Sequence, residues 1–396
     1  MMDNRRLPAP EKSDLTLGYL RLTDSAPLIM AQELGLYEHY GLSVQLQQEV
    51  SWANARDKLV TGGLDAAQML APLPLATSLG AGGMRADVIT GLALSLNGNA
   101  ITVSPALANA IAARGGDVQA GASSTARALG AHLRSEGSSA AYTFATAHSF
   151  SCHTFLLRRW LAAGGIDPER DLRIIVLPPE QMVDSLARGV IDGYCVGEPW
   201  NSVAVQHGVG MIQATGYQVW NNGLEKVLGV TGEWHQHHPS SHLRLRLALM
   251  ETCSWLAAPE HREQTAKALA RPQYLDLPVS SLLPSLSGEL VFSKGEPAPA
   301  VLADFHVFGR YQAGFPWRSD GEWLLQEIAA VLGKSLPTEQ VKALVQQSFR
   351  TDLYREAARF LQLPCPDRDY RPANQHAAAW EFQPGIQLGP DLLLRP

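Results

Sequence analysis

The 396-residue sequence predicts an α/β protein built of two similar lobes that face each other across a cleft. Two observations carry that prediction. The first is a repeat: Asp57-Lys-Leu-Val-Thr-Gly62-Gly-Leu-Asp65-Ala recurs in register as Asp184-Ser-Leu-Ala-Arg-Gly189-Val-Ile-Asp192-Gly. Each copy reads as the last turns of a helix, a Gly able to adopt the left-handed C-cap, and an apolar strand opening near the Asp. The second is the order of elements ahead of the repeat. A strand (15–20), a helix (26–33, stopped by Gly35) and a second strand (43–47) precede the first copy. A strand (142–145), a helix (154–163, stopped by Gly164-Gly165) and a second strand (173–177) precede the second. Two βαβαβ units of one design make two α/β lobes, and clefts between such lobes bind small molecules.

The first lobe opens near Leu15 and runs to Ser104. Residues 105–140 are rich in Ala, Gly and Ser and begin the second lobe, with helices around 107–113 and 126–134. The second βαβαβ unit extends from Tyr142 to about Val196, and a strand at 211–214 leads back toward the first lobe near 220–230. Lobe 1 is therefore expected over 15–104 and 221–350, and lobe 2 over 105–220. The rows Leu243, Leu247, Met250 and Leu245, Leu249, Cys253, Leu256 place a helix over 242–257. Further helices are expected over 261–270, 320–332 and 337–349. Residues 1–14 read as a flexible N-terminus. Residues 351–396, with prolines at 364, 366, 372, 384, 390 and 396, read as an extended tail packing on lobe 1.

Composition narrows the function. A formal net charge of -6 and no Lys/Arg run longer than two residues argue against direct nucleic-acid binding, which needs a basic face to neutralise phosphates. The polar, proline-bearing N-terminus has no apolar segment of a secretory signal, and no stretch approaches the roughly 18–20 apolar residues of a membrane span. A cytoplasmic protein away from the membrane is the expectation. Cys152, Cys195, Cys253 and Cys365 are scattered without CxxC spacing, as in reduced thiols. His235-Gln-His237-His238-Pro239 reads as a surface loop, so neither metal nor cofactor is expected. No GxSxG, HExxH, P-loop or GxGxxG motif is present, and an enzyme is not expected.

What looks like chemistry lies at helix starts. Ser51 is a good N-cap for a helix opening with Trp52, and free backbone N–H groups with a positive dipole end suit a small anion. Trp52 adds an indole N–H, a donor with no acceptor function, and Arg56 follows one turn later. Lobe-packing aromatic and anion donor are both open for Trp52 on these grounds. In the second lobe His148-Ser-Phe-Ser151-Cys152-His153 precedes a helix, placing Ser151 or Cys152 near the N-cap and His153 in the first turn. In the first lobe Thr23-Asp24-Ser25-Ala26-Pro27 occupies the matching place.

Several segments then carry a resemblance. They are Leu17-Gly-Tyr-Leu-Arg-Leu-Thr-Asp24-Ser-Ala-Pro27, Ser51-Trp52-Ala-Asn-Ala-Arg56-Asp57, Leu64-Asp65-Ala-Ala-Gln-Met-Leu-Ala-Pro72, Trp160-Leu-Ala-Ala-Gly-Gly-Ile-Asp-Pro168, Val196-Gly-Glu198-Pro199-Trp200-Asn201 and Glu225-Lys226-Val-Leu-Gly229. Phe315-Pro-Trp-Arg-Ser319 extends them into the C-terminal third. The sequence resembles the nitrate- and bicarbonate-binding proteins of the NrtA/CmpA type and, within them, cytosolic nitrate/nitrite sensors of the NasS type. The resemblance implies the type II periplasmic-binding-protein fold, with two crossings between the lobes. It maps anion-binding positions onto Trp52, Asn99, His153 and Lys226, with Gly197 and Glu198 beside them; Asn99 stands where the periplasmic nitrate binders carry a Gln. Nitrate offers three acceptor oxygens and no proton, so it wants N–H donors and a cation, which this set supplies. The bicarbonate relatives use an acidic residue and calcium around the Lys226 position, so Lys226 favours nitrate or nitrite. With the cytosolic expectation, the resemblance implies a sensor that sequesters an RNA-binding antiterminator of the NasT type when anion-free and releases it on binding. The alternatives are the substrate-binding component of a nitrate/nitrite or bicarbonate ABC transporter, a bicarbonate sensor, and an enzyme of the pyrimidine-synthase branch of the fold.

Overall fold

The two Asp residues of the repeat do the same structural work. Asp65 sits at the start of the third strand of its lobe, where its N–H donates to Thr16 O and its Oδ2 accepts from Thr16 N, both at 2.9 Å. Asp192 repeats this on Thr143, with both bonds at 2.7 Å. Each carboxylate thus extends the parallel ladder by one bond and fixes the register between the first and third strands of its unit. Gly62 (φ +80°) and Gly189 (φ +67°) take the left-handed conformation that ends each preceding helix.

The computed structural model describes residues 7–136, 142–296 and 298–395. A seven-stranded sheet runs in the order His306–Val307, Ala93–Asn97, Leu224–Thr231, Ala66–Leu70, Asp14–Tyr19, Ser43–Gln48, with Val88–Ile89 paired to the far end of Leu224–Thr231. The βαβ strands pair in parallel, and Leu224–Thr231 inserts antiparallel between Ala66–Leu70 and Ala93–Asn97. A five-stranded sheet has the order Met211–Thr215, Asn99–Val103, Gly193–Gly197, Thr143–Thr146, Arg173–Val176. The chain crosses between the sheets at 97–99 and again at 215–224. The crossings are tied to each other: Asn97 N donates to Gly223 O at 2.9 Å and Gly223 N to Asn97 Oδ1 at 3.0 Å. Asn97, Gly98 and Asn222 all hold positive φ there, where Asn and Gly are the residues least strained. This is the α/β, type II periplasmic-binding-protein fold. Among the described residues, no helix is long and apolar enough to cross a membrane.

Four expectations need correction. The first stretch of lobe 1 ends near Asn97 rather than at Ser104, because Asn99–Val103 pairs within the five-stranded sheet. Residues 7–14 are held rather than flexible: Glu11 accepts from Ser240 N and Ser241 N at 3.0 Å, capping the helix Pro239–Leu256, and Arg244 Nε donates to Pro8 O. Residues 1–6 lie outside the described residues. The C-terminal segment is not extended throughout, because Thr351–Leu361 is a helix whose Leu353, Tyr354, Ala357 and Ala358 pack into the larger lobe. A hairpin of Trp380–Gln383 and Ile386–Leu388 follows. Leu394 then packs at the second lobe and the chain crossing beside it, its N–H donating to Val219 O while its carbonyl accepts from Arg159. Finally, His235 and His237 belong to a short helix, Gly232–His237, rather than a loop.

The second lobe's helices Ala122–Glu136 and Cys152–Ala163 cross very closely. Trp160 Nε1 donates to Ala122 O at 3.0 Å, and a Cβ built on Gly130 would overlap the Gly164 carbonyl oxygen. An Ala in an open helix is favoured over Gly by roughly 0.5–1 kcal/mol. Here overlap with backbone outweighs that gain. Gly130→Ala is expected to lower stability by about 1–3 kcal/mol, read by denaturant unfolding; an unchanged midpoint would show that the helices part at no cost.

Candidate functional site

Both helix starts are built as their sequences suggest. Ser51 Oγ accepts from Asn54 N at 3.2 Å and opens the helix Trp52–Val60; Ser151 Oγ accepts from Thr154 N at 3.1 Å and opens Cys152–Ala163. The first-turn side chains Trp52 and His153 come from different lobes, and both are fully buried. Asn99, Lys226, Asp24 and Glu225 are buried with them, so the lobes close over this junction. Arg56 does not join the group; its guanidinium turns to the neighbouring Asp57 at 2.7 Å.

A local irregularity decides what faces the junction. In a regular strand Glu225 and Lys226 would point to opposite faces. The strand Leu224–Thr231 shifts register against Ala93–Asn97 on both sides of Lys226. Such bulges re-aim side chains, and both Glu225 and Lys226 turn into one cluster. Lys226 Nζ lies 2.7 Å from Asp24 Oδ2 and 2.7 Å from Glu225 Oε1, and 5.3 Å from the centre of the Trp52 ring. Glu225 Oε2 accepts from Asn99 Nδ2 at 2.6 Å, while His153 Nε2 stands 2.9 Å from Oε1, close but not aligned as a hydrogen bond. Asp24 Oδ1 accepts from Gln68 Nε2 at 2.6 Å, and Gln68 Oε1 in turn accepts from Leu20 N.

The electrostatics follow from this packing. Burial pushes the Glu225 carboxyl up, but Lys226 and His153 outweigh it and hold the group down to about 2. Burial opposes the charge on Lys226, and Asp24 with Glu225 overcomes it, raising the ammonium above its usual range. For Asp24 burial is the larger effect and its carboxyl rises. Lys226 is thus a fixed cation, hydrogen-bonded to Glu225 Oε1 and ion-paired with Asp24 Oδ2 without an aligned hydrogen bond. Three further polar atoms are buried with no hydrogen-bond partner among the described residues: Trp52 Nε1, His153 Nδ1 and Asn99 Oδ1. Leaving such a group unpaired costs about 1–3 kcal/mol, so the junction is built to receive something polar.

Sequence reasoning placed Trp52, Asn99, His153 and Lys226, and the fold brings all four together. It did not single out Glu225, Asp24 and Gln68 as members of the cluster. Gly197 borders the cluster, since a Cβ there would come 3.3 Å from Asp24 Oδ2 and 3.7 Å from His153 Nε2. Glu198 takes part through its backbone. Its carbonyl accepts from Thr23 N at 2.8 Å and Thr23 Oγ1 at 3.1 Å, joining the lobes, while its carboxylate accepts from Ser202 N at 3.1 Å in the next helix. Cys152 Sγ donates to Leu224 O at 3.0 Å, and burial pushes both Cys152 and Cys195 well up. That withholds the thiolate a nucleophile needs.

Glu198 generates a pH prediction. Burial outweighs the bonds from Ser202 and Asn201 and raises its carboxyl from 4.5 to about 7. Between these values the folded chain holds a proton that the unfolded chain has lost. Its contribution to stability is therefore fully present below pH 4.5 and is lost as pH rises through about 7. Glu198→Gln is expected to be flatter than the parent across that window and relatively more stable at pH 8. Parallel stability curves for the two proteins would refute the assignment.

Relatives with this architecture are readily found. Residues 8–270 match the model of the NMT1-like family. The chain is 38% identical over 363 residues to the nitrate import ATP-binding protein NrtC of Synechocystis sp., a match covering 91% of this chain and 52% of the relative. It is 37% identical to the bicarbonate transport ATP-binding protein CmpC of the same organism, covering 89% of this chain and 50% of the relative. The chain thus spans about half the length of these two relatives. The nitrate/nitrite binding protein NrtA of Synechocystis sp. is 31% identical over 97% of this chain and 84% of its own. Its crystal structure superposes with a TM-score of 0.84 at 29% identity, covering 97% of each chain. Matched along nearly its whole length, the chain belongs to the NMT1-like family and, within it, to the NrtA/CmpA type of nitrate- and bicarbonate-binding proteins.

Proposed function

We propose that the junction between the lobes binds a small planar oxyanion, nitrate or nitrite, as the solute-recognition unit of an ABC-type import system. The observation that carries this reading is Trp52 Nε1, a buried donor with no partner among the described residues, on a ring 5.3 Å from the Lys226 ammonium. A site that offers donors and a cation suits an ion that only accepts. The similarity to NrtC and NrtA supports the same ligand.

A second reading, bicarbonate, rests on Asn99. Its Nδ2 must be the atom facing the Glu225 carboxylate, because an amide oxygen there would be repelled. Asn99 Oδ1 is therefore a buried acceptor without a donor. Bicarbonate has an O–H to give it and nitrate does not. The similarity to CmpC supports this alternative.

Calorimetry with nitrate, nitrite and bicarbonate, the last with and without calcium, separates the readings. Trp52→Phe keeps the ring and removes the donor, so it is expected to cost about 1.5–3 kcal/mol of anion binding, roughly tenfold to 150-fold. No binding of any of the three anions, either by the parent protein or by a protein with Glu225 replaced, would end the oxyanion reading. Trp52 is the better probe because replacing Lys226 strands two buried carboxylates and perturbs stability first.

The expected role as a sensor of the NasT-partnered kind uses the same cleft and differs only in the macromolecule it addresses. The relatives' names are those of import components, which favours import. Pull-downs from nitrate-starved and nitrate-fed cells decide. Recovery of a permease supports import. Recovery of an RNA-binding protein lost on nitrate feeding would replace import with sensing, and linkage then requires that partner to weaken nitrate binding by the same factor.

A further inference from the structure

We infer that Glu225 is a tethered surrogate of the anion: its carboxylate occupies the donors of the cleft, and an incoming oxyanion binds by displacing it. This rests on the oxyanion reading above and names the residue that sets affinity and selectivity within it.

The argument begins with shape and charge. A carboxylate is a planar, trigonal group carrying one delocalised negative charge, as are nitrate and nitrite in the plane of any two of their oxygens. Glu225 makes the contacts such a ligand would make: Oε2 with Asn99 Nδ2 at 2.6 Å, Oε1 with Lys226 Nζ at 2.7 Å, and Oε1 beside His153 Nε2 at 2.9 Å. Asn99 and His153 belong to the five-stranded lobe, and Lys226 to the seven-stranded one. The Glu225 carboxylate therefore bridges the lobes through three of the four side chains assigned to the ligand. Of that set, Asn99 and Lys226 hydrogen-bond to it, His153 stands close without an aligned bond, and Trp52 Nε1 has no partner among the described residues.

Displacement follows from the charges. Glu225 Oε1 already accepts one ammonium proton of Lys226, and Asp24 Oδ2 stands 2.7 Å from the same ammonium. A free anion entering beside the ionised Glu225 carboxylate would share one lysine with Glu225 and Asp24, and like charges at contact distance in a buried site repel strongly. Moving the Glu225 carboxylate aside releases Asn99, His153 and one Lys226 proton together with the unused Trp52 N–H. Glu225 can move because it lies within the first register shift of its strand, between Leu224 and Lys226, where the regular ladder is interrupted. An anion must then hold the donors better than a carboxylate does. Ligands lacking that advantage are excluded by the protein's own side chain.

The test is calorimetry with nitrate, nitrite and bicarbonate on the full chain and on Glu225→Gln, which keeps the shape and removes the charge. The variant is expected to bind its anion about tenfold tighter or more, a change of about 1.4 kcal/mol or more. Should the variant not fold, Glu225→Ala provides a second measurement. It leaves space for a free carboxylate, so millimolar formate should raise its melting temperature and leave that of the parent unchanged. Anion binding in Glu225→Gln with a silent parent supports the proposal. Equal or weaker binding in the variant overturns it while the oxyanion reading stands, and identifies Glu225 as a residue that orients Lys226. Loss of binding that calcium alone sustained in the parent overturns it in favour of a metal-ligand role. No anion bound by either protein overturns the proposal and the oxyanion reading together.

Discussion

The structure depends on one buried cation. Lys226 is fully enclosed, and an isolated ammonium in that position would shed its proton rather than remain charged. Asp24 and Glu225, each 2.7 Å away, keep it charged. Each carboxylate then needs its own support, which Gln68 gives to Asp24 and Asn99 gives to Glu225. The chain of dependence runs on to the backbone, since Gln68 is fixed by Leu20 N in the neighbouring strand. A buried network of this kind is favourable only when nearly every member is satisfied. The members without a hydrogen-bond partner among the described residues, Trp52 Nε1, both His153 ring nitrogens, Asn99 Oδ1 and Asp24 Oδ2, are therefore informative about what the site receives.

That network also explains why the lobes meet where they do. Glu225 joins Asn99 and His153 from the other lobe, and Cys152 Sγ donates to Leu224 O alongside. Thr23 binds the Glu198 carbonyl, and Trp200 Nε1 donates to Arg21 O at 3.2 Å. These bonds cross the cleft, whereas the Asn97–Gly223 pair ties the two crossings of the chain. Opening the cleft breaks the first group and can leave the second intact, which is the arrangement a hinge requires. A ligand stabilises the closed form only by its differential interaction with the two arrangements. The bonds already made across the cleft set how much of that difference a ligand must supply.

Much of this was legible in the sequence, for reasons that can be named. The Asp65/Asp192 repeat was visible because one ladder position, with an Asp accepting from the first strand, occurs in both lobes. Ser51 and Ser151 were readable as caps because capping is local chemistry. Trp52 and His153 were readable at helix starts, whereas Asn99 and Lys226 were gathered by resemblance, since all four come from distant segments. Glu225 was not legible. Strand alternation would send it away from Lys226, and no Gly or Pro between the two marks the register shift. Asp24 read as part of a helix start and Gln68 as part of an apolar strand until the fold placed them beside the ammonium. The helix Thr351–Leu361 carried a helical spacing of Leu353, Tyr354, Ala357 and Ala358, but the later prolines dominated the reading of that end.

The balance of donors and acceptors makes selectivity between nitrate and bicarbonate a matter of very few atoms. Trp52 Nε1 can only donate, and Asn99 Oδ1 can only accept. A ligand that satisfies both must carry an acceptor and a proton, whereas nitrate satisfies the first alone. A ligand that takes the place of the Glu225 carboxylate meets Asn99 Nδ2, the donor Glu225 now holds, and finds a site of donors. The state of Glu225 therefore decides which end of Asn99 the ligand meets. One carboxylate controls the net charge of the cleft and, through a neighbouring amide, its hydrogen-bonding sense.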